Sequence, residues 1–153
     1  PSVEEVGFSA YEIPALGETS YAFSQVVPDG SHLVIASTDD AGNTSGTYLV
    51  VDDTRTSEVT MTDALANTLS EFQIEKIDLQ FAEDSAFTIT EAQLVALSDH
   101  TDTLIVEGGA DDSVTITGAQ AAGTTAQGNT SYNVFTLGDA TLLIEDDITN
   151  VVI

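Results

Sequence analysis

The chain carries 26 Asp and Glu side chains against 2 Lys and Arg, a formal charge of −24 at pH 7 with neutral His. The two basic residues, Arg55 and Lys76, cannot neutralise that surplus by ion pairing. The folded chain therefore repels itself unless bound cations or salt screen it. Phosphate contacts need Lys and Arg, so nucleic acid and anionic membrane surfaces are excluded as partners, and cations become the natural ligands. With 42% apolar residues in 153, the chain is too hydrophobic for a disordered acidic tail and long enough for one core or two small ones. It has no Cys, which removes disulfides, thiolate ligands and a cysteine nucleophile and leaves a bound metal as the alternative staple. No apolar run reaches the roughly 18 residues of a membrane span, and the N-terminus lacks a signal-peptide pattern. A mixture rich in Thr, Ser, Ala, Val and Asp fits an exported protein in a calcium- or salt-rich medium.

The chain reads as all-β. From Phe8 to Asp53, short strands alternate with turn signals: Thr19–Ser24, the turn Pro28-Asp29-Gly30, Ser31–Ser37, a polar loop, and Gly46–Val51. Thr54–Asn67 loses this periodicity, which places a domain boundary near Asp53–Thr56, with units of residues 1–55 and 56–153. Beyond it, Ile77, Leu79 and Phe81 alternate with polar residues as the buried face of a strand. Thr90-Glu91-Ala92-Gln93 predicts one short helix over about residues 91–98, with Thr90 as cap and Gln93 reaching back to it. The later strands, Thr103–Glu107, Ser113–Thr117, Ser131–Thr136, Thr141–Glu145 and Ile148–Ile153, are short and adjacent, which implies hairpins. Gly118–Asn129 reads as an exposed loop, and no repeat of 20–50 residues is recognised.

Two stretches resemble known material. The run Asp29-Gly30-Ser31-His32-Leu33-Val34-Ile35-Ala36-Ser37-Thr38-Asp39-Asp40-Ala41-Gly42-Asn43-Thr44-Ser45, followed by Tyr48-Leu49-Val50-Val51-Asp52-Asp53-Thr54, resembles the closing half of a bacterial Ig-like repeat. Such repeats are strung together in giant surface adhesins of the RTX type, exported by type I secretion. The order Ile74–Leu79, Phe87–Ser98, Thr103–Gly108, Asp112–Ile116, Tyr132–Phe135 and Ala140–Ile148 is similar to a domain near the C-terminal, ligand-binding region of the same adhesins. The resemblance implies antiparallel Ig-like β-sandwich elements followed by a β-rich domain with one short helix. An Ig-like sandwich has about seven strands in about 100 residues. The N-terminal unit is then half of one, completed from elsewhere, or one arm of a domain that another module interrupts.

Calcium takes six to eight oxygens from carboxylates, Asn side chains and carbonyls, and clustered Asp in turns supplies them. Asp39, Asp40 and Asn43 crowd one Gly-containing loop. At Asp52-Asp53 the resemblance implies a calcium that stiffens the junction. Asp111-Asp112 and Asp146-Asp147 are further candidate ligands, with Asp99/Asp102 and Glu4-Glu5 behind them. Against all of these stands the ordinary preference of Asp for solvated turns. The EF-hand pattern is absent, and Gly108–Asp112 is only a partial single copy of an RTX nonapeptide. Ser98, Asp99, His100 and Asp102 are four neighbours after a helix, which rarely build a hydrolase triad. His32 reads as an ordinary strand histidine.

These observations give a non-catalytic, extracellular spacer segment of a calcium-dependent adhesin at the bacterial cell surface, serving adhesion or biofilm formation. Its partners would be neighbouring domains of the same adhesin, with a host or surface glycan or peptide as a further partner, and a monomer is expected. Two alternatives compete with it. One is a ligand-binding module, or the scaffold around one, recognising a carbohydrate or peptide through Gly118–Asn129 or through Tyr11, Tyr21, Tyr48 and Tyr132 with Asn129 and Asn133. The other is a halophilic enzyme.

Overall fold

Val59-Thr60-Met61-Thr62, Phe87-Thr88-Ile89-Thr90 and Val114-Thr115-Ile116-Thr117 occupy equivalent places in successive turns of a coiled chain. The computed structural model describes residues 2–28, 30–51 and 58–153. Each coil has a longer strand, then a shorter strand and, in the first two coils, a helix. In chain order these are β4 (Thr44–Leu49), β5 (Glu58–Thr60), α1 (Asp63–Leu69) with a 3-10 turn at Ser70–Phe72, β6 (Ile74–Asp78), β7 (Ala86–Thr88), α2 (Glu91–Leu97), β8 (Thr103–Glu107) and β9 (Ser113–Thr115). A hairpin of β10 (Gln120–Gln127) and β11 (Thr130–Leu137) precedes the last coil, β12 (Ala140–Glu145) and β13 (Asn150–Val152).

The longer strands β4, β6, β8 and β12 pair in parallel, and so do the shorter strands β5, β7, β9 and β13. The longer sheet is finished by antiparallel strands, β3 (Leu33–Thr38) beside β4 and the β10–β11 hairpin beside β12. Ahead of them, β1 (Phe8–Ile13) and β2 (Glu18–Phe23) form a separate two-stranded sheet.

Alternation fixes which residues point inward. Val59, Phe87 and Val114 are in register and buried, as are Ile77 and Val106 in the longer sheet. Ala66, Leu69, Leu94 and Leu97 close the third side, with α1 packed against α2. Thr62 caps α1, and Thr90 caps α2 in a capping box with Gln93. The third coil has Gly118 (φ 89°) where the first two have Asp63 and Glu91. That left-handed backbone cannot start a helix, and the chain leaves as β10 instead.

The mostly β character and the 91–98 helix are as expected from the sequence. Several other expectations are corrected. A repeat of 27–29 residues does exist, preserved in residue class more than in identity. A second helix, α1, occupies part of the segment read as aperiodic. Strands β8 and β9, like β12 and β13, belong to different sheets and are not hairpins; the chain turns a corner between them. Phe81 follows the end of β6 and is 58% exposed, while Ile77 and Leu79 are buried. Gly118–Asn129 is largely strand β10, because pairing with β11 overrides the weak strand preference of Gly and Ala. Strands β3 and β4 form the expected antiparallel hairpin, and β4 also pairs with β6. The boundary near Asp53–Thr56 lies outside the described residues.

Candidate functional site

Carboxylates recur at the ends of the longer strands. Asp78 lies opposite Glu107 on β6 and β8, and Glu145 follows the last β8–β12 pair, Val106 with Ile144. Like charges on neighbouring strands repel, and hydrogen-bond donors surround these three. Lys76 Nζ lies 2.9 Å from Glu107 Oε1, and the Tyr132 hydroxyl donates to the same oxygen at 2.8 Å, reaching across β12. Gln80 N donates to Asp78 Oδ1 at 3.0 Å. Gly108 N and Gln80 Nε2 donate to Glu145 Oε2 at 3.0 and 3.2 Å. Burial pushes the Asp78 carboxyl above its usual range, with the Glu107 charge adding to the effect. Burial, then the hydrogen bond to Glu107, pushes the Tyr132 hydroxyl up to about 12.

Asp112 sits at the β8–β9 corner with 2% exposure. Its Oδ1 accepts Ser85 N at 2.9 Å from the neighbouring corner, and its Oδ2 accepts Gly109 N at 2.7 Å. Burial raises its pKa while the two backbone hydrogen bonds lower it, and burial prevails. Removing this carboxylate leaves two amide donors unsatisfied, so Asp112→Ala is expected to destabilise the fold by about 1–3 kcal/mol. A proton is held more tightly by folded Asp78 and Asp112 than by the unfolded chain, so these groups make stability fall as pH rises above the usual carboxyl value of 3.8. Asp112→Asn, which keeps one acceptor, should flatten that slope in urea melts across the acid range. An unchanged slope would place the effect elsewhere.

The Asp39 loop is closed by its own donors. Asp39 Oδ1 accepts Ala41 N and Asn43 N, both at 2.9 Å, and Oδ2 accepts Asn43 Nδ2 at 2.9 Å. The Asn43 side chain, then its backbone amide, holds the Asp39 carboxyl below its usual range. Asp40, Asp111, Asp146 and Asp147 are exposed turn residues, and Asp99 and Asp102 are exposed beyond α2. Asp52 and Asp53 lie outside the described residues. Among the described residues, no three His, Asp or Glu side chains converge to hold a metal ion. Of the described candidate ligands, Asp39 and Asp112 accept amide hydrogens.

Ser98 Oγ donates to Gln73 Oε1 at 3.2 Å and accepts the His100 and Thr101 amides, while His100 Nε2 faces Asp99 Oδ1 at 3.6 Å. His32 Nδ1 accepts Val51 N at 3.2 Å. The tyrosines do not assemble: Tyr11 and Tyr21 lie on the β1–β2 hairpin, whereas Tyr48 and Tyr132 are buried on different strands. A polar cleft of about 410 Å³ borders the β10–β11 hairpin, lined by Thr124, Thr125, Ser131, Tyr132, Asn133 and Asp146 among others. No helix is long and apolar enough to cross a membrane among the described residues.

Glu107 and Glu145 were not singled out from the sequence, and Tyr132 only as one of four tyrosines of a ligand-binding surface. Their signal was positional: Asp78, Glu107 and Glu145 each close an apolar alternation, which emerges only when the coils are aligned. Comparison with protein-family models, with curated proteins and with solved structures returns no match to this chain.

Proposed function

We propose that this chain is a non-catalytic structural segment of a large extracellular adhesin of the RTX type on the bacterial cell surface, supporting adhesion or biofilm formation. The observation that carries this reading is the use made of the polar side chains. Asp112, Glu145, Gln73 and Glu107 link one coil to the next, and Ser98 joins them, so the groups that could do chemistry are holding the stack together. Side-by-side coils with a continuous apolar interior suit a spacer that transmits force between neighbouring domains. The Ig-like assignment of the N-terminal part rests on the loop Asp39-Asp40-Ala41-Gly42-Asn43 and the hairpin that carries it.

The calcium component rests on the Asp39-Asp40-Asn43 loop and on Asp52-Asp53. A melt in EGTA, then in calcium or magnesium at matched ionic strength, tests it. A calcium-specific rise in Tm, lost in Asp39→Ala or Asp53→Ala, is expected, and binding at a hundredfold excess over Kd adds roughly 2.7 kcal/mol. Equal responses to both cations would reduce the acidity to a screened surface.

The second reading, a carbohydrate- or peptide-binding module, is favoured by the polar cleft beside β10. A glycan or peptide array separates the two. Saturable binding abolished by Asn133→Ala would replace the spacer reading.

A further inference from the structure

From Ser113 to Gly138 the chain has no Asp, Glu, Lys, Arg or His, although charged residues make up 18% of the sequence and the net charge is −24. This neutral stretch contains β10, the outermost strand of the seven-stranded sheet. All eight residues of β10, Gln120–Gln127, are exposed, and only β11 pairs with it. The other edges differ. Strands β5 and β13 offer three residues each, β1 and β2 each carry a glutamate, Glu12 and Glu18, and β3 is partly covered. Folded proteins blunt an exposed edge with charge, Pro, bulges or shortness, because its free amides and carbonyls template another strand. Here the only such device is a bulge between Ala121 and Gly123, which leaves Gly123–Gln127 in regular register with β11.

We infer that the β10 edge pairs antiparallel with β10 of a second copy of this chain, joining two seven-stranded sheets into one. The choice of a second copy follows from charge and composition. Two molecules of −24 repel wherever acids face each other, and β10 and β11 carry no acid of their own, with Asp146 on the cleft beside them. Pairing centred on Thr124 sets Thr124 opposite its copy, Gly123 opposite Thr125, Ala122 opposite Ala126 and Ala121 opposite Gln127, so the contact is self-complementary as a two-fold interface requires. The inference goes beyond the structural role proposed above and departs from the monomer expected from the sequence.

Repulsion between the remaining surfaces makes the dimer depend on screening, whose range shrinks from about 30 Å at 0.01 M salt to about 10 Å at 0.1 M. Sedimentation of the whole chain between about 10 mM and about 500 mM NaCl should show the association constant rising about tenfold or more. Ala126→Asp should abolish the dimer while keeping the Tm, and Val95→Asp on α2 should leave it intact. In the unaltered chain, amide exchange in Thr124–Gln127 should slow with protein concentration at high salt. A chain that stays monomeric in high salt, or a dimer that survives Ala126→Asp, would overturn the inference.

Discussion

Replacing Phe87 with alanine should lower stability by about 3–5 kcal/mol, read as a fall in the urea midpoint at unchanged slope. Phe87 is 1% exposed and lies in register between Val59 and Val114, so its ring fills the interior where three coils meet. A cavity there closes only if neighbouring coils move together, which keeps the loss near the upper end for a large-to-small change. Since whole domains are stable by about 5–15 kcal/mol, the variant should be close to unfolding at ambient temperature. Phe81→Ala is the informative contrast. Alternation in the sequence puts Phe81 on the same buried face as Ile77 and Leu79, but the strand ends at Asp78 and the ring is 58% exposed. That change should stay within about 0.5 kcal/mol. Similar losses for the two would mean that the coil interior is wrongly placed.

Lys76→Met should lower stability by about 1–3 kcal/mol, between the values for exposed and buried ion pairs. Lys76 is the one cation paired with a carboxylate among the described residues, and its partner Glu107 is mostly buried. Without it, Asp78, Glu107 and Glu145 face one another on adjacent strands with only neutral donors between them. The deficit should shrink in high salt, which screens the repulsion. Adding Glu107→Gln should recover much of the loss, because the charge left unpaired is then gone. A loss insensitive to salt and to Glu107→Gln would mean that Lys76 acts through packing alone.

Elements governed by local signals were legible in the sequence. Helix α2 announces itself through Thr90 and Gln93, and the strands Thr103–Glu107 and Thr141–Glu145 through their alternation. What was not legible depends on partners distant in sequence. Nothing local distinguishes a short strand that folds back as a hairpin from one that turns a corner into a second sheet, and β8 with β9 took the second course. Helix α1 has the same Thr cap as α2, but Ser70 and Glu71 of the following turn blur its apolar face. The coil repeat was hidden because Val59, Phe87 and Val114 are interchangeable to the core while differing as letters. For the candidate site, residue type was a poor guide in an acidic chain. Asp39-Asp40 and Asp111-Asp112 look alike as pairs, yet Asp112 is enclosed by amides at a corner while Asp40 and Asp111 face solvent. Burial and register, which separate them, are set by the stacked coils.

Parallel stacking of coils is most directly tested by disulfide trapping, since the chain has no cysteine of its own. Thr88 and Thr115 are register partners on adjacent parallel strands. Strands about 4.8 Å apart bring such a pair within the reach of a disulfide. Thr88→Cys with Thr115→Cys should oxidise to an intramolecular bridge in nearly all molecules and raise the Tm. Ile105→Cys with Thr115→Cys, which a β8–β9 hairpin would bring together, should stay reduced. Bridging of the second pair without the first would contradict the coiled architecture and the structural role built on it.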